Sequence, residues 1–347
     1  MAERVTMATV AQRAGVSPMT VSNVFRGKAS VSPELRARVH SAAEATGYRM
    51  NMSARALRSG RTGVIGLLAP GATEPFSYYS MLGGLIAQEA RRHGLTLVME
   101  SPGPAPDPEA ELAAIQQGRA LQYDGMIITP LALGPEHGAS LPSDFPLVVL
   151  GERPAPLGIP HISLPNREGA YEATRHLLER GARRIALVSG APTPEESVLT
   201  RRAEGYRDAL SDWGADAAGP HLITVADLSP QAGRTAVRES LGRGERPDAY
   251  LGVTDGVLLG VLRGLADEGL SVPEHALAIG FDGIPEGEFS LPSLSTIRPD
   301  HEWIARRAVG LLQDRLDAGP ADGPQGGAER LELTAPHALV ERESTRR

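Results

Sequence analysis

Ten arginines and lysines fall within residues 1–61 against three acids, a net charge of +7, while the rest of the 347-residue chain holds 25 basic and 39 acidic residues, a net charge of −14. A basic head on an acidic body fits a partner of dense negative charge, because each neutralised phosphate releases condensed counterions while the body is held off the polyanion. A second chemistry is open to two carboxylates. Asp255, in Thr254-Asp255-Gly256, and Asp282, in Gly280-Phe281-Asp282-Gly283, each follow an apolar run that reads as a strand. There a carboxylate can accept paired O–H donors from a polyol, or act as a loop cap. Covalent and redox chemistry lacks its parts. With no cysteine there is no thiolate nucleophile, disulfide or cysteine zinc site. No G-x-G-x-x-G follows a strand, no G-x-x-x-x-G-K-[ST] or G-x-S-x-G occurs, and His301-Glu302 lacks a second histidine because Ala305 stands there. No catalytic residue, metal or cofactor is therefore expected, and an enzyme is the weaker reading.

The elements that must carry the basic cluster are helical. Met7 to Val24 reads MATVAQRAGVSPMTVSNV, two short segments meeting at Gly15. Small or apolar residues at Val10, Ala11, Ala14, Val16, Val21 and Val24 have the spacing that lets two helices share a miniature core. Ser17 reads as an N-cap with Pro18 in the first turn, and Ser32-Pro33-Glu34 repeats the signal for a third helix that ends near Ala45, before Gly47. Charge and spacing together favour a DNA-binding helix-turn-helix over an alanine-rich hairpin packed on the body.

From Thr62 onward the pattern changes. Apolar runs at Val64–Ala69, Gly125–Thr129, Leu147–Leu150, Ile185–Ser189, Tyr250–Val253 and Ala276–Phe281 alternate with amphipathic stretches at Met81–His93, Arg167–Arg180, Ala203–Asp212 and Val257–Glu268. Gly94, Gly181, Gly214 and Gly269 follow helical stretches at the C-cap position. This alternation predicts an α/β body of βα units on parallel sheets, in two successive sets. Ligands of such sheets bind beyond the carboxyl ends of the strands. Asp317–Ala328, rich in glycine and proline, reads as a flexible surface loop. The first residues lack the apolar core of a secretion signal, and no run of about eighteen apolar residues occurs, so a cytoplasmic protein without a membrane partner is expected.

Residues 5–68, VTMATVAQRAGVSPMTVSNVFRGKASVSPELRARVHSAAEATGYRMNMSARALRSGRTGVIGLL, resemble the N-terminus of the LacI/GalR (lactose repressor) family nearly position by position. The resemblance implies that the helix from about Pro18 to Phe25 lies in the major groove, with Pro18, Met19 and Asn23 facing base edges. Asn23 stands where relatives are expected to carry arginine, and its amide pairs in two-pronged fashion with adenine rather than guanine. Ser17, Thr20 and Ser22 read as phosphate contacts or caps, and Arg26 completes the head's DNA-binding set. Asn51 to Gly60 corresponds to a hinge helix formed only on the operator, as the marginal stability of so short a helix requires. Within it Asn51, Ala54 and Leu57 are implied to touch DNA, Leu57 as a wedge that opens a minor-groove base step.

The likeness continues to Leu339-Val340-Glu341-Arg342-Glu343-Ser344. It implies a DNA-binding head over residues 1–48, a hinge over 49–61, and a two-lobed periplasmic-binding-protein-like body over 62–347 that binds ligand and dimerises. Lobe one is expected to take about 62–163 with 296–320, and lobe two about 164–293 with 329–345. Implied ligand residues are Phe76, an aromatic that stacks on ligand rings, Arg202, a gripping arginine, Asn166, Asp255, Asp282, and His301, where some relatives present an aromatic ring. Pro165 precedes Asn166 where the family usually has aspartate, and Gly256 replaces a larger residue, so the ligand class stays open between a sugar or its derivative and a non-sugar. The partners implied are a near-palindromic double-stranded operator, a small-molecule effector of carbohydrate type and a second copy of the chain, with repression the expected output. A solute-binding protein on the same body is the other reading, at odds with the extra head.

Overall fold

The computed structural model describes residues 5–25, 31–48, 61–70, 78–103, 107–156, 158–191, 197–214, 219–318 and 331–346, and the chain divides into two compact units, Met1–Thr62 and Gly63–Arg347.

Among its described residues the first unit holds three helices, α1 (Met7–Ala14), α2 (Pro18–Phe25) and α3 (Pro33–Thr46). Each start is chemically marked. Thr6 and Thr9 form a reciprocal capping box on α1, Ser17 Oγ accepts the Thr20 N–H at 3.0 Å, and Ser32 Oγ accepts the Leu35 N–H at 3.3 Å. Gly15, at φ 62°, makes the left-handed turn between α1 and α2 that a side chain would strain. Val10, Ala11, Ala14, Val21, Val24, Val39, Ala42 and Ala43 are buried together as one small core.

In the second unit each lobe is a sheet between two helical layers. The first sheet runs β11–β5–β4–β3–β1–β2, with β1 Val64–Leu68, β2 Thr96–Glu100, β3 Gly125–Ile128, β4 Leu147–Leu150, β5 His161–Ser163 and β11 Glu332–Thr334, all parallel. Helices α4 (Tyr78–Arg92) and α10 (His301–Ala318) cover one face and α5 (Pro108–Ala120) the other. The second sheet runs β12–β10–β9–β8–β6–β7, with β6 Ile185–Ser189, β7 His221–Thr224, β8 Ala249–Gly252, β9 Leu277–Phe281, β10 Ser295–Pro299 and β12 His337–Val340. Helices α6 (Asn166–Glu179) and α7 (Val198–Trp213) pack on one face, α8 (Pro230–Gly242) and α9 (Asp255–Asp267) on the other. Burial on both faces explains why the central strands read as continuous apolar runs. The approach of α6 to α7 is close enough that a Cβ on Gly205 would lie 2.0 Å from the Arg167 carbonyl oxygen.

The α/β class and all-helical head agree with the sequence reading, but the return of the chain between lobes differs from it. Ser295–Pro299 pairs with β9 in lobe two instead of opening lobe one, and Glu332–Thr334 pairs with β5 in lobe one instead of joining lobe two. The crossing into lobe one therefore comes at Asp300, and the last crossing lies between Thr334 and His337. Three strand-length segments pass between the lobes side by side, tied by Asp300 N–H to the Pro336 carbonyl at 2.8 Å and Ala335 N–H to the Ser163 carbonyl at 3.0 Å.

Candidate functional site

The head presents α2 to its surroundings. Met19 is 66% exposed, Ser17 and Pro18 are exposed, and Thr20 and Asn23 are half-buried, so side chains expected at base edges are available to a groove. Ser22 departs from expectation. It is only 4% exposed, like its neighbours Val21 and Val24 a buried residue of α2, and so presents little surface to a phosphate. Arg26, Asn51, Ala54 and Leu57 lie outside the described residues.

In the body, the side chains that follow the strands converge at the carboxyl ends of both sheets. Arg202, on α7, is buried and uses every side of its guanidinium. Nε donates to Asn166 Oδ1 at 2.6 Å, one terminal nitrogen to the Val253 carbonyl after β8, the other to Asp282 Oδ1 at 3.0 Å, and the group lies 3.6 Å over the Phe281 ring. Asn166, the first residue of α6, is fixed in orientation because its amide donates to Glu152 Oε1 at 2.7 Å. Glu152 follows β4 in lobe one and also accepts the Leu164 N–H at 3.1 Å. The result is a chain of bonds, Glu152–Asn166–Arg202–Asp282, that runs from lobe one into lobe two.

Asp282 adopts φ 110°, a conformation that favours glycine, and is held there by its own N–H to the Ile297 carbonyl at 2.9 Å and by Gly283 N–H to Thr296 Oγ1 at 3.2 Å. Such strain, imposed by the surrounding bonds, marks a residue placed for a task. His301, first in α10, meets Tyr78 edge-on, with ring centroids 5.6 Å apart. Tyr78 and Tyr79 open α4 in lobe one, their ring centroids 5.3 Å apart.

Burial raises the carboxyl of Asp282, opposed by the Arg202 charge, and that of Glu152, opposed by the bonds from Asn166 and Leu164. Burial also pushes Tyr79 up to about 12 and lowers His301, whose imidazole is neutral at pH 7.

Asn166, Arg202 and Asp282 are thus joined by hydrogen bonds, with His301 opening α10 in lobe one. Asp255 stands behind them, its Oδ2 accepting the Ile284 N–H at 2.9 Å, a cap on the turn after β9 rather than a face of the cleft. Phe76 lies outside the described residues. Sequence reasoning missed Glu152 and Tyr78. Glu152 had the same signal as Asp282, a carboxylate just past an apolar run, and Tyr78 lies two residues beyond the aromatic that was singled out.

Comparison with known proteins now settles the family. Residues 6–51 match the profile of the bacterial regulatory proteins of the lacI family, and residues 174–345 that of the periplasmic binding protein-like domain. The HTH-type transcriptional regulator AscG of Escherichia coli K12 is 30% identical over 94% of this chain and 96% of its own length. The chain belongs to the LacI family. Among solved structures, a LacI-family transcriptional regulator from Sanguibacter keddieii is 34% identical, with TM-score 0.71 over 82% of this chain and 99% of that one. A complex of the transcriptional regulator CelR with cellobiose is 26% identical, with TM-score 0.65 over 98% of this chain and 100% of the other. This LacI-family protein is accordingly a DNA-binding transcriptional regulator, and its relatives are regulators rather than enzymes. Among the described residues no acidic or histidine cluster could hold a metal ion, and no helix is long and apolar enough to cross a membrane.

Proposed function

We propose that this regulator is a repressor, a homodimer on a near-palindromic double-stranded operator, whose hold on DNA is set by a carbohydrate effector bound between the two lobes. The observation that carries the reading is the bond chain Glu152–Asn166–Arg202–Asp282 at the carboxyl ends of both sheets. A ligand that competes for or completes those bonds changes the relation of the lobes, and any difference in its affinity for the two arrangements shifts their populations. Carboxylates and an amide fit the paired O–H donors of a sugar, and the solved relative CelR holds cellobiose. Repression is the simplest output of an operator-gripping head joined to a ligand-gripping body.

Dimerisation follows from the head, since one recognition helix reads one half-site and closed two-fold symmetry lets a pair read both. Phe289 and Leu291, 83% and 93% exposed, supply apolar body surface that a second copy would cover. Lobe movement would reach the operator through Asn51, Ala54 and Leu57, with Leu57 the wedge at the step between half-sites.

Gel-shift titration of an operator fragment with and without candidate sugars, together with footprinting, tests the reading. Symmetric protection that one sugar relieves supports it, and protection without dyad symmetry, or a 1:1 complex in sedimentation, refutes it.

A further inference from the structure

A second concave site lies on lobe two. Helices α8 and α9 cross so closely that a Cβ on Gly260 would not fit against the Pro230 carbonyl. Beside them opens a cavity of about 550 Å³, walled by α8 and by the segments that follow both helices. That volume lies in the range of small-molecule sites. The cleft is at the other end of α9, which begins at Asp255, the cap of the turn after β9, whereas the cavity meets Glu268 and Leu270 just past the last residue of the helix.

The wall is rich in hydrogen-bond donors. Arg234, Arg238 and Arg246 line it, with the Gln231 amide and the Thr235 hydroxyl of α8 beside them. Each guanidinium is already anchored. Arg234 Nε donates to Asp267 at 2.6 Å and Arg238 Nε to Glu268 at 2.8 Å. Arg246 gives one terminal nitrogen to the Leu241 and Glu245 carbonyls, each at 2.7 Å, and has no carboxylate partner among the described residues. These bonds leave terminal N–H groups of all three for a guest. Asp267 is shared with Arg263 at 2.7 Å, so four guanidinia stand against the carboxylates of Asp267, Glu268 and Glu239, and the surround is net positive.

Anchored side chains lose little freedom when a ligand arrives, and the guanidinium fork matches the oxygens of a carboxylate or a phosphate. Leu241 and Leu270 add apolar wall, which suits a carbon skeleton rather than a bare ion. We infer that this cavity is a second small-molecule site, for an organic oxyanion whose phosphate or carboxylate is gripped by Arg238 and Arg246. The inference does not depend on what the cleft binds.

Calorimetric titration of the full-length protein at low salt tests it, with glycerol phosphate and succinate as the organic anions, and with glycerol and inorganic sulfate as the uncharged and carbon-free controls. At least one organic anion should bind about tenfold more tightly than either control. Binding of glycerol phosphate alone identifies a phosphate ester, and of succinate alone a carboxylic acid. Arg246→Gln, which breaks no ion pair, should weaken that binding several-fold, and Arg238→Gln with Arg246→Gln by about tenfold or more. Urea midpoints near wild type establish that both variants are folded. Failure of both organic anions to bind, sulfate binding as tightly as they do, or binding unchanged in Arg246→Gln would each overturn the inference.

Discussion

Arg202 and Asp282 form an ion pair 3.0 Å long with side chains only 3% and 8% exposed, joining α7 to the turn after β9. Taking two charges out of water is costly, and their attraction repays it only while both are present. Asp282→Ala should therefore destabilise the body by about 3–5 kcal/mol, because it strands a buried guanidinium. The double change Arg202→Met with Asp282→Ala should cost clearly less than the two single changes added. Urea denaturation of the four proteins measures this coupling, and additive costs would show that the pair does not act as one unit.

Asp255 has the opposite problem, a carboxylate enclosed with no cation of its own. Burial raises its pKa well above the usual range, and the Asp282 charge adds to the shift. A group whose folded pKa is raised contributes stability that is present below its unfolded pKa and is lost as pH rises through the folded value. Asp255→Asn removes that titration and keeps the acceptor for the Ile284 N–H. The variant should lose less stability than wild type between pH 5 and pH 8, as read by denaturant midpoints at the two pH values. An identical pH dependence in both proteins would mean that Asp255 is solvated in solution.

In the head, Asn23 sits half-buried on α2 beside exposed Met19. Asn23→Arg should exchange a preference for adenine for one for guanine at a single position of each half-site, by about 1–3 kcal/mol. Binding-site selection with both proteins checks it, and an unchanged consensus would place Asn23 off the base edges.

Local signals made the head legible in the sequence: Gly15 at the turn, Ser17-Pro18 and Ser32-Pro33 at helix starts, and valines and alanines at helical spacing all act within a few residues. The βα alternation was legible for the same reason. What escaped was non-local. Ser295–Pro299 and Glu332–Thr334 are short strands whose lobe is decided by which edge they pair with, and β5 is the partner of Glu332–Thr334 from far along the chain. Ser22 reads as a phosphate ligand because a polar residue on a recognition helix is ordinarily outside, and its burial at 4% exposure is not legible from residue type. Glu152 is not legible in the sequence because its role depends on Asn166, which the crossing between lobes brings to it.

Under the proposed function, occupancy of the cleft sets the grip on the operator. Fluorescence anisotropy of labelled operator, titrated with full-length protein in the presence and absence of a ligand shown by calorimetry to bind the body, tests this directly. A shift of at least about tenfold in operator Kd, or about 1.4 kcal/mol, is expected, with the reciprocal shift in ligand affinity when operator is present. An operator Kd unmoved by every ligand that binds the body would contradict it.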